Sequence, residues 1–249
     1  MLGQDVEADV SLTRAQLDVT DRDAVRAAIT GDDVVINCAA WTDVDGAEEH
    51  EQEALRINRD GARNLAEAAG RVIYVSTDYV FDGTKREPYL ESDPVNPQTA
   101  YGRTKLAGER ATAEANPRHH IVRTSWLFGP GGPNFVETIL RLARERDSLR
   151  VVDDQVGKPT YTGHLAPELL ELAASEEYGI HHRAGAGECS WFEFALEIVE
   201  RAGLDCSVEP CTTAEFPRPA PRPAYSVLGG EQRLPSWREG LEAYLGVRV

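Results

Sequence analysis

The chain has 249 residues, of which 41% are hydrophobic, 27% charged and 7% aromatic. This is the composition of an ordinary globular protein, and it excludes a disordered chain, a collagen-like repeat and a small disulfide-dependent domain. The 26 basic and 42 acidic residues give a net charge of −16, which disfavours nucleic acid and anionic membrane surfaces as partners. At about 150 residues per domain, one large domain or a large and a small one are both open.

The sequence carries no signal for export or membrane insertion. Its four cysteines form no CxxC motif, and no apolar run approaches the ~18 residues that a membrane-spanning helix needs. The first ten residues, MLGQDVEADV, contain neither the basic nor the apolar part of a signal peptide. We therefore expect a soluble protein of the cytoplasm.

The first half of the chain alternates short apolar runs with helical segments. Runs rich in β-branched residues and without strict alternation are typical of parallel strands covered on both faces. Strand-helix alternation implies right-handed crossovers. The pattern predicts an α/β fold with a Rossmann-like, doubly wound parallel sheet. We expect strands within residues 10–12, 32–40, 71–81 and 119–129, and helices up to about Gly70 and over 99–115.

The second half is less regular. We expect helices at 134–146, 165–174 and 191–203, strands at 149–152 and 178–185, and a polyproline-like surface loop at 216–223. The expected division is a sheet domain of residues 1–129 and a smaller lobe of residues 130–249 that is interleaved with the sheet.

Tyr101 and Lys105 lie four residues apart in a predicted helix, so their side chains share one face. A tyrosine, with an ordinary pKa of ~10, becomes a useful acid-base group near neutrality only when a nearby cation stabilises its phenolate. A lysine one turn away can supply that cation. The alternative is a surface helix whose lysine lays its aliphatic stem along the protein.

Small and polar residues follow two of the predicted strands. Thr77 and Asp78 end the strand that begins near residue 72, and Ala39 and Ala40 follow the strand before it. Ligands of open α/β sheets bind beyond the carboxyl ends of strands, where Thr77 can donate a hydrogen bond to a substrate carbonyl. A turn or a cap explains Thr77 equally well.

Asp45 lies in a segment that fails the calcium-loop pattern. We expect it to cap a helix.

Several other chemistries lose support. The pairs His119-His120 and His181-His182 lie in or beside predicted strands, where successive side chains point to opposite faces and cannot chelate one ion. HExxH, P-loop and GxSxG motifs are absent from the sequence, which disfavours zinc hydrolases, NTPases and serine esterases. Trp126, at a strand end, is on sequence grounds more often a core residue than a ligand contact.

Five segments taken together resemble the dTDP-4-dehydrorhamnose reductase family, which are extended short-chain dehydrogenases/reductases. They span nearly the whole chain in order: VSTDYVFDG (75–83), NPQTAYGRTKLAGE (96–109), RTSWLFGPGGPNF (123–135), DDQVGKPT (153–160) and RPAYSVL (222–228). The resemblance implies a nicotinamide-binding domain over 1–129, a substrate lobe over 130–249, and reduction of the C4 carbonyl of dTDP-4-dehydro-L-rhamnose. It implies NADPH or NADH as cofactor, leaves Mg²⁺ and a homodimer open, and makes a nucleotide sugar the small-molecule partner.

The resemblance also implies roles for individual residues. Tyr101 would donate the proton, Lys105 would support Tyr101 and hold the nicotinamide ribose, and Thr77 would complete the catalytic set. Asp78 and Trp126 would line the sugar pocket. The implied cofactor contacts are Gly3, Asp18, Val19, Ala39, Ala40, Trp41, Tyr101 and Lys105. Arg14, near the position that meets the adenosine ribose, would favour the 2′-phosphate of NADPH, or is an exposed arginine without a ligand.

The chain departs from the family pattern at its start. Gly3 aligns with the end of the glycine-rich loop that cradles the cofactor pyrophosphate, while the first strand and the earlier glycines have no counterpart. We therefore expect upstream sequence that encodes them. Without that strand, the predicted strands at 10–12 and 34–37 would have to pair directly, recruit a strand from a partner, or leave the chain poorly folded.

Two alternatives to the reductase follow from these residues. A catalytically silent regulatory or binding homologue fits the missing glycine loop, although such a subunit has no chemical need for Lys105. A sugar-nucleotide epimerase or dehydratase shares the Tyr-x-x-x-Lys and Ser-Thr-Asp elements, but the sequence shows no acidic residue beyond Asp78 in place as a dehydratase acid.

Overall fold

The computed structural model describes residues 1–246. In chain order its strands are β1 (Val34–Asn37), β2 (Arg71–Thr77), β3 (His119–Thr124), β4 (Leu127–Phe128), β5 (Ser148–Val152), β6 (Val156–Gly157), β7 (Thr160–Tyr161), β8 (Gly179–His182), β9 (Cys189–Ser190) and β10 (Ser207–Cys211). The helices are α1 (Leu2–Asp5), α2 (Arg22–Ala28), α3 (Gly46–Glu49), α4 (Glu51–Leu55), α5 (Ala62–Ala68), α6 (Ala100–Ala115), α7 (Phe135–Glu145), α8 (Thr162–Ala174), α9 (Trp191–Arg201) and α10 (Trp237–Gly246). A π-helical segment, Arg56–Gly61, joins α4 to α5.

A parallel sheet of four strands, in the order β1-β2-β3-β8, forms the central layer. Successive residues of a strand face opposite sides of a sheet, and β2 shows this directly. Val72 packs with α5 residues on one face, while Ile73 packs with Leu165 and Leu169 of α8 on the other. The predicted α/β fold with a doubly covered parallel sheet is therefore confirmed, and its carboxyl edge carries Asn37, Thr77 and Thr124.

The second half builds a separate apolar cluster. Phe128, Phe194 and Trp237 are fully buried there, and the cluster draws on α7, α9, α10 and β5. Strand β8 nevertheless lies in the central sheet beside β3, so the later part of the chain is interleaved with it. The predicted helices at 134–146, 165–174 and 191–203 and the strands at 149–152 and 178–185 occur within a few residues of their expected bounds.

The predicted strand at 10–12 is wrong. Residues 8–13 form no regular structure, and the side chains of Val10 and Leu12 are 71% and 46% exposed. A strand is stable only when its backbone groups pair with a neighbour, and in the part of the chain that the structure describes β1 pairs only with β2. Direct pairing of residues 10–12 with β1 therefore does not occur, and β1 is an edge strand.

Candidate active site

Helix α6 carries Tyr101 and Lys105 into the carboxyl edge of the sheet. Its first turn begins after Thr99, whose hydroxyl accepts a hydrogen bond from the Gly102 amide at 3.0 Å. Gly102 permits close approach, because a Cβ there would lie 2.3 Å from the Tyr79 carbonyl oxygen. The helix therefore starts directly against the segment that follows β2, where Thr77 and Asp78 lie.

Lys105 is buried rather than laid along the surface, with an exposed fraction of 2%. Its Nζ donates to the Val75 carbonyl at 2.6 Å and lies 4.1 Å from the centre of the Tyr74 ring. Burial lowers the pKa of Lys105 to about 7, while the Glu109 carboxylate and Cys38 oppose that fall. The alternative of a snorkelling surface lysine is wrong, because a surface stem would leave the amine in water.

Tyr101 lies at the same place, with its ring edge-on to Tyr79 at 5.7 Å between centroids. Burial raises the pKa of Tyr101 to about 12, a hydrogen bond with the Thr77 side chain opposes this rise, and Asp78 adds to it. The phenol is therefore protonated at neutral pH, which is the form that a proton donor requires. Thr77 is in contact with it, as the catalytic hypothesis requires.

Thr77 acts as a cap in the structure, while its role as a donor to a substrate carbonyl stays a prediction. Its hydroxyl caps the short 3₁₀ turn that follows β2, accepting from the Tyr79 amide at 3.3 Å, and it donates to an Asp78 carboxylate oxygen at 3.0 Å. Burial raises the pKa of Asp78 to about 6, and the Ser226 and Thr77 hydroxyls limit the rise. Ser226, from the RPAYSVL segment, was not singled out by sequence reasoning, although that segment was.

Trp126 stands at a strained position between β3 and β4. Its φ is 47°, a left-handed conformation that no other non-glycine residue shares within residues 1–246. Its indole stacks on Trp191 of α9, with centroids 3.5 Å apart and an interplanar angle of 6°, and Gly157 abuts the same ring. The side chain is half-buried, so one indole face is covered by Trp191, and strain of this kind is found most often at functional sites.

The residues expected beside the nicotinamide follow β1 and form a wall at the same edge of the sheet. Asn37 ends β1 and its side chain accepts from the Ala39 amide at 3.0 Å, and Trp41 joins Tyr101 in one apolar cluster. Gly3 of α1 lies against Cys38. Cys38 is close enough to Lys105 for the lysine charge to act on its thiol, so Gly3, Cys38 and Lys105 converge at the sheet edge.

Asn58 connects that wall to the catalytic helix and was missed by sequence reasoning. Its side-chain oxygen accepts from the Trp41 amide at 2.9 Å, and its side-chain nitrogen donates to the Thr104 hydroxyl at 3.0 Å. It is fully buried within the π-helical segment. The sequence carries no clear signal for it, because Asn58 stands among the charged residues Arg56, Arg59 and Asp60, and only burial makes its amide need partners on both of its atoms.

The residues expected at the adenosine end lie in the loop before α2. The Asp18 carboxylate accepts from the backbone and hydroxyl of Thr20 at 2.9 and 2.8 Å, and the Val19 carbonyl accepts from Asn64 at 3.0 Å. The backbone and hydroxyl hydrogen bonds from Thr20 lower the pKa of Asp18. Arg14 is exposed.

Asp45 does not cap a helix with its side chain. It occupies the residue before α3, but its carboxylate pairs with Arg222 at 2.9 and 3.0 Å and with Arg218 at 3.2 Å. Two guanidinium groups offer stronger, charge-assisted partners than a helix amide does. The interaction anchors the predicted proline-rich loop, which has no regular structure over 216–223, against the residue before α3.

A cavity of about 300 Å³ opens beside Tyr79, between the start of α6 and the anchored loop. Its lining includes Gln98, Thr99 and Arg222.

No group of three or more His, Cys, Asp or Glu side chains that could hold a metal ion occurs in residues 1–246. No helix in that range is long and apolar enough to cross a membrane.

Comparisons with known proteins find similar reductases. The chain is 45% identical over 248 residues to the dTDP-4-dehydrorhamnose reductase of Mycolicibacterium smegmatis, covering 94% of this chain and 76% of that protein. It is 41% identical over 255 residues to the dTDP-4-keto-6-deoxy-D-glucose reductase of Streptomyces niveus, covering 96% and 87%. The crystal structure of dTDP-4-dehydrorhamnose reductase from Bacillus anthracis in complex with NADP superposes with a TM-score of 0.93 at 38% identity, covering 100% of this chain and 94% of that one.

The family described as the RmlD substrate binding domain matches residues 2–247. This match and the 45% identity to a curated relative confirm the resemblance seen in the sequence motifs. The chain belongs to the RmlD substrate binding domain family, in which dTDP-4-dehydrorhamnose reductases are found.

Proposed function

We propose that this protein reduces the C4 carbonyl of dTDP-4-dehydro-L-rhamnose to give dTDP-L-rhamnose, with a nicotinamide cofactor as reductant and Tyr101 as proton donor. The observation that carries the proposal is the convergence of Thr77, Asp78, Tyr101 and buried Lys105 at one sheet edge, in a chain of this family. A silent regulatory homologue would not require a lysine buried behind a protonated tyrosine.

The proposed chemistry uses the state of each side chain. The Thr77 hydroxyl orients the substrate carbonyl, and the Tyr101 hydroxyl gives its proton to the C4 oxygen as negative charge develops there. The resulting phenolate is stabilised by the positive charge of Lys105 and regains a proton from solvent. Asp78 and the part of Trp126 that Trp191 does not cover line the sugar pocket.

The nicotinamide cofactor, when bound, supplies the hydride. The residues present fit its nicotinamide end, because the small side chains Ala39 and Ala40 follow the edge strand and Lys105 supplies a buried donor beside Cys38. Trp41, Gly3, Asp18 and Val19 complete the proposed set. The relative from B. anthracis binds NADP, and exposed Arg14 supports use of NADPH at least as well as NADH.

A second substrate deserves comparison, because the S. niveus relative is named for dTDP-4-keto-6-deoxy-D-glucose. The two sugars differ in ring stereochemistry but present the same ketone to Thr77 and Tyr101. We favour the rhamnose precursor because the relative named for it is more similar, at 45% against 41% identity.

The test is a direct assay. The purified chain is given NADPH and, in parallel reactions, each keto sugar, and the product is identified by NMR. We expect faster NADPH oxidation with dTDP-4-dehydro-L-rhamnose and dTDP-L-rhamnose as product. Faster turnover of the D-glucose derivative would reassign the substrate, and binding of NADPH without turnover of either sugar would favour the silent homologue.

The remaining expectations belong to the same proposal. The chain divides into a cofactor lobe of residues 1–129 and a substrate lobe of residues 130–249, and its location is cytoplasmic. It forms a homodimer, which size-exclusion chromatography with light scattering will test. Mg²⁺ has no support from the side chains of residues 1–246.

A further inference from the structure

A buried ion pair lies directly behind the proposed catalytic residues. Glu109 follows Lys105 by four residues, so Tyr101, Lys105 and Glu109 occupy successive turns on one face of α6. The Arg123 guanidinium donates to both Glu109 oxygens, at 2.9 and 2.8 Å, and the Ser76 hydroxyl donates to one of them at 2.5 Å. The two charged side chains are only 3% and 4% exposed.

The cluster joins three elements at a decisive register. Ser76 and Arg123 face each other in the pairing of β2 with β3, and the next pair is Thr77 with Thr124. On the other side of Ser76, the Val75 carbonyl accepts from Lys105. Glu109 therefore fixes the strand position between the lysine acceptor and the catalytic threonine.

The charges of this cluster act on Lys105 as well. A buried amine loses its proton unless an opposite charge stabilises it, and burial lowers the pKa of Lys105 to about 7, a fall that Glu109 and Cys38 oppose. The Val75 carbonyl and the Tyr74 ring are neutral. Lys105 is acted on by Glu109 of α6 and Cys38 after β1 and lies over the Tyr74 ring of β2. Arg123 of β3 pairs with Glu109, and Tyr101 precedes Lys105 by one turn of α6.

We propose that Glu109 is a positioning residue of the reaction, which keeps Lys105 charged behind Tyr101 and holds the end of β2 that carries Thr77. Arg123 and Ser76 hold Glu109 in turn. This role rests on the proposed function, since it is defined by what Lys105 and Thr77 do there. It differs from a stabilising role because the negative charge itself is required.

The first experiment measures kcat and KM across pH 5.5 to 9 for Glu109→Gln and for a matched control. Glu168→Gln removes the carboxylate of a 3.2 Å pair between Glu168 of α8 and Arg183, the residue after β8, whose side chains are 16% and 4% exposed. We expect kcat to fall about 10- to 100-fold in Glu109→Gln, as for misplaced catalytic groups, with the KM for the sugar nucleotide nearly unchanged. The loss at high pH should begin about one pH unit earlier, and Glu168→Gln should show neither effect.

A double variant separates charge from structure. Glu109→Gln combined with Arg123→Met leaves neither member of this ion pair as an unpaired buried charge, so it should regain the thermal stability that Glu109→Gln loses. We expect its kcat to stay low. Recovery of the wild-type kcat and pH profile in the double variant would overturn the proposal, as would a wild-type profile in Glu109→Gln. The double variant also carries the test if Glu109→Gln does not fold.

A second readout does not depend on turnover. The chain has only three lysines, Lys85, Lys105 and Lys158, so ¹³C-labelled lysine gives few NMR signals to assign and titrate. The Lys105 signal should titrate at a lower pH in the folded variant without the Glu109 carboxylate. If the Lys105 titration is the same in the variant and in the wild type, the proposal is overturned. If the titration shifts in the variant but the wild type reduces neither keto sugar, the proposed function alone is rejected.

Discussion

Replacing Tyr101 by phenylalanine removes the proposed proton donor and little else. The ring can keep its edge-on contact with Tyr79, so the fold should be retained. We expect kcat to fall by about 10²-fold or more, the size that loss of a general acid produces. The measurement is NADPH oxidation with dTDP-4-dehydro-L-rhamnose, with circular dichroism as the check on folding. Near wild-type turnover would remove Tyr101 from the mechanism.

Asp78 is held at a cost to stability. Burial raises its pKa to about 6 from an ordinary value of 3.8, so between these values the folded chain binds more protons than the unfolded chain and stability falls as pH rises. Asp78→Asn should therefore stabilise the protein by about 1 to 3 kcal/mol at pH 7.5 while it lowers activity. Thermal unfolding at pH 7.5 and pH 4 measures this, and an equal gain at both pH values would contradict it.

Trp126 separates substrate binding from packing. Because one indole face is stacked on Trp191 and the ring is half-buried, Trp126→Ala should raise KM for the sugar nucleotide several-fold, by about 1 kcal/mol or more of lost binding, with a small change in kcat. Trp126→Phe keeps an aromatic ring and serves as the control. If Trp126→Ala mainly unfolds the chain and leaves KM unchanged, the tryptophan is a core residue only.

At the scale of elements, the contact between Asp45 and the loop at 216–223 fixes one wall of the site. Partial burial raises the pKa of Asp45, but hydrogen bonds from Arg222 and the Ala220 amide outweigh burial and hold this pKa below its ordinary range. The carboxylate therefore stabilises the fold above about pH 4, and this contribution is lost as pH falls through its lowered pKa.

Asp45→Asn should lower stability by about 1 to 2 kcal/mol at pH 7, the range for a hydrogen-bonded charged group. The difference from wild type should shrink below about pH 4. Hydrogen exchange should quicken at the Ala220 amide, which donates to Asp45 at 3.2 Å. Unchanged exchange in this loop would show that Asp45 does not hold it.

At the scale of the whole molecule, the net charge of −16 should oppose folding by self-repulsion. Added salt screens such repulsion. We expect Tm to rise by about 2 °C or more, a gain of about 1 kcal/mol for a chain of this size, when NaCl increases from 20 mM to 500 mM. Sucrose, which stabilises without screening, is the control. A fall in Tm with salt would mean that the ion pairs outweigh the net repulsion.

The sequence was sufficient for the parallel sheet and for the pair on α6. Periodicity marks a buried strand such as β2 because both of its faces are apolar, and helical spacing alone puts Tyr101 and Lys105 on one face. The order of Thr77 and Asp78 at a strand end was enough to place them at the carboxyl edge. These features are local, and local patterns specify them.

Tertiary structure decided everything that depends on a distant partner. Residues 10–12 have the apolar pattern of a strand, but they pair with no neighbour within residues 1–246 and so form none. Asp45 has the position of a cap but finds Arg222, 177 residues away in the chain. Burial and charge at Lys105, Glu109 and Arg123 arise only when α6, β2 and β3 pack together, because solvation and Coulomb energies depend on distance in space and not on separation in sequence.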